Sequence, residues 1–266
     1  MRTQLAFIGN TSLDAVAEDA RFCAEHGFEG LEYNYWGNFE QLEAETVQKM
    51  HAILREHGVK CVMLGIWGWN HLAPDPDERE KAHRMLGKAI EFAKILHADV
   101  LTTGGGTFSD SLDANVDEFL NVFPPFVAEI EAAGLCPSFY AMHGKSFFTS
   151  MESYERVWEA LPQVGIKYDP ANWRHHGDDY LAVLRRHGDK VAHVHIKEHL
   201  YHDGELASQP PAGMGDIEWG KVFAFLYEHD YDGPISVEPH GPIWARGEMR
   251  RKMLLLTQRT IAPFLI

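Results

Sequence analysis

Along the chain, short apolar runs alternate with longer stretches whose apolar residues recur every three to four positions. The short runs lie at 5–9 (LAFIG), 30–34 (GLEYN), 60–65 (KCVMLG), 99–103 (DVLTT), 136–142 (CPSFYAM), 165–169 (GIKYD), 191–197 (VAHVHIK) and 234–238 (PISVE). Their length and their β-branched and aromatic content predict strands. Between them sit amphipathic helical patterns such as LDAVAEDARFCAEHG, FEQLEAETVQKMHAILREHG and DEREKAHRMLGKAIEFAKILHA. Gly27, Gly58, Gly134 and Gly188 stand just past helical runs, where a left-handed glycine ends a helix. Asp75 and Asp77 are cap candidates for the third helix, Pro76 suits its first turn, and Glu78 and Glu80 complement its dipole. Strict β–α alternation predicts a parallel sheet with helical crossovers. Eight such units in 266 residues predict an α/β fold, a single (β/α)8 TIM barrel spanning 1–266 with no internal domain boundary. The turn GNTSLDA after the first strand lacks the GxGxxG of dinucleotide-binding sheets. SQPPAGMGD, at 208–216, falls between the seventh strand and its helix and reads as a loop on the catalytic face.

Composition narrows the function. With 45% hydrophobic residues the chain can bury a sizeable core, and 39 acidic against 24 basic residues leave a formal charge of −15. A sequence-independent phosphate-backbone binder needs a basic face, so nucleic acid is not an expected partner. The expected partner is a small molecule, with a homo-oligomer also compatible. Cys23, Cys61 and Cys136 are odd in number and show no CxxC spacing, which indicates neither a disulfide framework nor a thiolate site. The N-terminal apolar run is too short for a signal peptide and no stretch reaches the length of a membrane span. A cytoplasmic enzyme without membrane association is the expectation.

The chemistry concentrates in VAHVHIKEH, 191–199. Strand side chains alternate between faces, so His193, His195 and Lys197 share one face and Ala192, Val194 and Ile196 the other. The histidines read alone as metal ligands, acid–base groups or polar strand-end residues. In barrels of this kind the active site is built from the strand C-termini and the loops after them. The sixth strand ends in Asp169, the seventh carries His193 and His195, and the eighth ends in Glu238. An Asp, a His and a Glu on three consecutive strands form an oxygen–nitrogen ligand set for a divalent ion such as Mn, Mg, Co or Zn.

The motifs HVHIKE, YDPAN, GMGDIEWGKVFAFLYEHDYDGPISVE and PDPDEREKAHRMLGKAIEFAKILHADVL resemble the xylose isomerase-like TIM barrels. This superfamily includes sugar (phosphate) isomerases and epimerases, inosose dehydratases, hydroxypyruvate isomerases and endonuclease IV. The resemblance spans essentially the whole chain and implies metal ligands at Asp169, His195 and Glu238, with His193 orienting the site and Lys197 in the family's HxK position. A fourth family ligand, a glutamate in an E-N-H context ending strand five, has no counterpart, because CPSFYAMHGKSF holds no carboxylate. His143 matches the trailing histidine. Three readings of that departure stay open: His143 enters the shell, three protein ligands act with water, or metal binding has been lost. Endonuclease IV fits worse, since its additional histidine after the sixth-strand aspartate is Asn172 here.

What the resemblance implies is metal-assisted proton transfer next to a carbonyl, through an enediolate-like intermediate. Glu238 would act as ligand and base, with His193 and Lys197 relaying the proton or stabilising the oxyanion. Among the loop aromatics Trp36, Trp67, Trp69, Trp173 and Trp244, ring stacking on a sugar is one reading and packing of the loops the other. Trp36, Trp67, His71, Trp173 and Glu198 form the expected substrate-side set; Glu32, His175, His176, His199 and His240 are further polar groups near that end. GGGTFSD, at 104–110, offers backbone N–H groups for an anion. The expected function is a sugar or small-ketose isomerase or epimerase acting on a carbohydrate or keto-polyol. The alternatives are a dehydratase of the same superfamily, acting on an inosose-like ring, and, because the strand-five glutamate is missing, a non-catalytic carbohydrate-binding or partner-subunit barrel.

Overall fold

The structure, a computed structural model, describes residues 3–140 and 145–266; His143 lies outside the described residues. The barrel strands are β1 (Leu5–Ile8), β2 (Gly30–Tyr35), β3 (Lys60–Ile66), β4 (Val100–Thr103), β5 (Cys136–Phe139), β6 (Gly165–Tyr168), β7 (Val191–Ile196) and β8 (Ile235–Val237). All neighbours pair in parallel, and β1 pairs with both β2 and β8, which closes the barrel. The helices around it are α1 (Leu13–His26), α2 (Ala44–Glu56), α3 (Pro76–Leu96), α4 (Leu112–Val122), α5 (Pro124–Ala132), α6 (Met151–Trp158), α7 (Pro170–His175), α8 (Tyr180–His187), α9 (Trp219–Glu228), α10 (Gly241–Trp244) and α11 (Gly247–Ile261). No helix among the described residues is long and apolar enough to cross a membrane.

Strand alternation sorts the core into two parts. Outward residues such as Phe7, Leu31, Leu101, Ile166, Val194 and Val237 join the helices in one large apolar layer. Inside the barrel, Ala6, Val62, Met63 and Val100 form a separate cluster with Trp67 and Tyr140. The base of the lumen is tight: a Cβ on Gly30 would meet Val62 at 2.4 Å, and one on Gly165 would meet Ala192 at 2.6 Å. Polar inward residues Thr102, Ser138 and Ser236 follow, all buried, and the charged residues lie above them. Register shifts occur between Leu31 and Glu32 against β3 and between Ile166 and Lys167 against β7. Each shift skips one residue of the partner strand, so that Glu32 pairs with Met63 and Lys167 with His193. Bulges of this sort re-aim side chains and gather near active sites.

The capping expectations hold at Asp75, whose side chain accepts from the Glu78 N–H at 2.9 Å, with Pro76 in the first turn. Two expectations change. The helical pattern at 39–58 is interrupted: Gly37–Gln41 form a 3-10 turn that buries Phe39 against Tyr35 and Phe92, Leu42 is extended, and α2 begins only at Ala44. Gly188 is not left-handed, unlike Gly27, Gly58 and Gly134, and opens a 3-10 turn. Its missing side chain serves packing instead, since a Cβ there would lie 2.3 Å from the His229 ring. The connection after β7 also carries an antiparallel hairpin, Leu200–His202 with Glu205–Ser208, that the sequence pattern leaves as loop.

Candidate metal centre and active site

The C-terminal ends of β2, β6, β7 and β8 converge on one buried polar cluster. On β7, His193 and His195 both point inward, and both meet Glu32 from β2. His193 Nε2 donates to Glu32 Oε2 at 2.8 Å, and His195 Nε2 donates to the same carboxylate at 2.9 Å. The other ring nitrogen of His195, Nδ1, lies 2.8 Å from Glu238 Oε2 and 3.9 Å from Asp169 Oδ2. Asp169 doubles as the cap of α7: its Oδ1 accepts from the Asn172 N–H at 3.0 Å, and its Oδ2 accepts from Asn172 Nδ2 at 2.8 Å and from the Tyr140 hydroxyl at 3.2 Å. The Glu238 Oε1 atom lies 3.5 Å from Lys197 Nζ and 3.1 Å from His240 Nδ1.

Burial works against every charge here, and the partners decide the outcome. Desolvation pushes the Glu32 carboxyl up, but His195 and His193 outweigh it and hold it well below the usual carboxylate range. Burial likewise opposes the Glu238 charge, and Lys197 with His195 brings that group well below the usual range too. His195 is desolvated but held above its ordinary value, chiefly by Glu32. For His193 burial wins, and its imidazole drops to about 4.

This donor set fits a divalent ion. One ligand atom each from Asp169, His195 and Glu238 lies within 4.8 Å of the others, and so does a second set of Glu32, His193 and His195. The first set is the better centre. Two of its members, His195 and Glu238, line an open cleft of about 350 Å³ with Asp169 buried next to them, whereas of the second set only His195 reaches the cleft. With His195 Nδ1 turned to the cleft, its Nε2–H stays on Glu32, the carboxylate–histidine–metal arrangement that orients a ligating imidazole.

The remaining expected residues divide. Trp36 lines the cleft. Trp67 is buried below it, with Nε1 donating to Asn34 Oδ1 at 2.8 Å, and Asn34 Nδ2 in turn donates to Glu32 Oε1 at 2.6 Å. Trp173 is packed in the outer apolar layer. His71 is buried against Thr103 Oγ1 at 2.9 Å. Glu198 braces the loop after β7: its two oxygens accept from the N–H groups of His199, Gly213 and Ile217 and from Trp219 Nε1, at 2.9 to 3.1 Å. In GGGTFSD the glycines serve close packing, and two of the N–H groups that follow them are already taken. A Cβ at Gly106 would meet the His71 and Leu72 backbone nitrogens at 2.9 and 2.7 Å, and the N–H groups of Thr107 and Phe108 donate to Asn70 and Asn115.

Lys167 on β6 and Asn34 on β2 are cleft residues outside the expected site set, and Glu32 matters more than its place among further polar groups suggests. The signal for all three was strand parity. Lys167 precedes Asp169 by two, and Glu32 and Asn34 share parity in GLEYN.

A barrel with an acid–histidine centre at its strand ends defines the class, and the sequence profile of the xylose isomerase-like TIM barrel family matches residues 20–258. The chain belongs to that family. It is 25% identical over 190 residues to the inosose dehydratase of Bacillus licheniformis, an alignment covering 61% of this chain and 63% of that protein, so the match spans less than two thirds of that relative's length. The crystal structure of D-psicose 3-epimerase with D-tagatose from Clostridium cellulolyticum H10 has the same fold, with a TM-score of 0.80 over 99% of both chains at 14% identity. The IolI protein, solved with a bound zinc atom, matches with a TM-score of 0.77 over 99% of this chain and 98% of its own at 16% identity.

Proposed function

We propose that the protein is a divalent-metal-dependent isomerase or epimerase of a sugar or small ketose, moving a proton on the carbon next to a carbonyl. The observation that carries this reading is the convergence of Asp169, His195 and Glu238 donor atoms, with His195 and Glu238 lining an open cleft. An ion held there would polarise the carbonyl and its neighbouring hydroxyl as a Lewis acid. Asn172 and Tyr140 fix the Asp169 carboxylate, and Glu32 fixes the His195 ring. Lys197 and His240 keep Glu238 ionised, the form that accepts a proton, and His240, which also lines the cleft, is placed to carry that proton onward. His193 is bonded to Glu32 beneath the cleft, which suits orientation of the site better than contact with substrate.

A dehydratase is the second reading, favoured by the similarity to an inosose dehydratase and by Ala141 or Met142 in the place of the family's strand-five glutamate. Inverting a stereocentre needs groups on both faces of the carbon. One-face isomerisation or loss of a β-hydroxyl needs only one. Metal analysis and incubation of candidate ketoses in D2O test both. The purified protein is expected to hold about one divalent ion per chain, lost in Asp169→Asn and Glu238→Gln. Solvent deuterium in the recovered or isomerised sugar supports proton shuttling, and loss of water by mass supports elimination. A protein that takes up no divalent ion overturns both and leaves the non-catalytic barrel.

A further inference from the structure

The cleft floor holds a lysine with no polar partner among the described residues. Lys167 is 2% exposed and lines the cleft together with Asn34, His195 and Glu238. Its ammonium lies 3.9 Å from the centroid of the Tyr140 ring and 5.4 Å from that of Trp67. Burial draws it below the usual ammonium range, Glu32, Glu238 and Asp169 oppose that through space, and none of the described residues forms an ion pair or hydrogen bond with it. Lys197, by contrast, lies 3.5 Å from Glu238 Oε1. A buried ammonium with no acceptor costs several kcal/mol, and an aromatic cradle returns only about 2 kcal/mol. Strand alternation turns Lys167 into the lumen, on the same face as Asp169 two residues on, and its register partner on β7 is His193. With an ion bound and both histidines neutral, the two lysines and a divalent ion outweigh the three carboxylates by one positive charge. That local excess sits in a chain whose formal charge is −15.

We propose that Lys167 is a specificity-determining residue that binds a carboxylate on the substrate, so that the site prefers polyhydroxylated carbonyl acids to neutral sugars. The inference rests on the metal-centred reading above and names the substrate class for it. A carboxylate fits better than a phosphate. A single ammonium meets it, whereas phosphate sites gather several donors or a helix N-terminus, and the N–H groups of Thr107 and Phe108 just after the glycine run are already bonded to Asn70 and Asn115.

The test is calorimetric binding to the Mn²⁺-loaded protein of D-glucuronate and D-fructuronate, set against D-glucose, D-fructose and fructose 6-phosphate. The hexuronates are expected to bind at least tenfold tighter than the neutral sugars, with the margin shrinking as salt rises. The ratio falls toward one in Lys167→Met and survives in Lys167→Arg. Equal affinity for acid and neutral sugars, no binding of either hexuronate, or an undiminished preference in a folded Lys167→Met overturns the proposal. Tighter binding of the phosphate than of the hexuronates overturns the carboxylate assignment. Should Lys167→Met not fold, the wild-type preference alone decides. Binding is read without turnover. A hexuronate preference with no deuterium exchange therefore counts against the proposed reaction and not against Lys167, and exchange indifferent to the carboxylate does the reverse.

Discussion

Glu32 shows how one residue sets the chemistry of its neighbours. It is wholly buried, yet it stays ionised because His193 and His195 both donate to it. Those bonds hold the His195 ring with Nδ1 toward Asp169 and Glu238. Removing the charge while keeping the shape, in Glu32→Gln, is expected to weaken divalent-ion binding by about 10- to 100-fold, since groups that orient a ligand carry that much of its affinity. Titration with Mn²⁺ or Co²⁺ checks this, and unchanged affinity would remove Glu32 from the metal centre. The residue was visible in GLEYN as an inward polar group. Its partners were not, because they lie 161 and 163 positions away in sequence.

At the scale of elements, alternation along each strand was legible and separated lumen from outer layer correctly. The loops were less so, because their side chains answer to contacts set elsewhere. Glu198 lies two residues past the strand that carries His193 and His195 and has the residue type of a substrate group. The fold instead uses it to tie four donors between His199 and Trp219 into one connection. Glu198→Ala leaves those donors without their acceptor and is expected to cost about 3 kcal/mol, at roughly the worth of hydrogen bonds to a charged group. Urea unfolding reads the loss, and faster proteolysis within 208–216 localises it. A cost below about 0.5 kcal/mol would mean the loop is held by its apolar contacts alone. The glycine run at 104–106 teaches the same lesson, since its shape serves close approach of the β3–α3 loop.

For the whole molecule, burial of neutral histidine makes stability depend on pH. His71 is fully enclosed, and desolvation lowers it from 6.5 to about 3. The folded state therefore keeps it neutral while the unfolded chain takes up a proton below pH 6.5. Unfolding binds the proton, so this stabilising contribution is complete above 6.5 and declines as pH falls toward about 3. Between pH 7 and pH 4.5 the loss from this one group amounts to about 2–3 kcal/mol. In His71→Gln the difference in unfolding free energy between those two pH values is expected to shrink by about that amount. An equal pH dependence in both proteins would assign the acid sensitivity to other groups.

The sequence by itself determined the barrel, its strand count and the strand-end positions of Asp169, His195 and Glu238, the proposed ligands. Each follows from local periodicity or from position at a strand end, and both are properties of neighbouring residues. Only the tertiary structure decided which polar groups meet. Closure of the barrel brings Glu32 against His193 and His195 and Lys167 against the Tyr140 ring, and loop packing withdraws Glu198, His71 and Trp173 from the cleft. Those outcomes depend on contacts between strands and loops far apart in sequence, where burial and pairing set both the direction and the charge of a side chain.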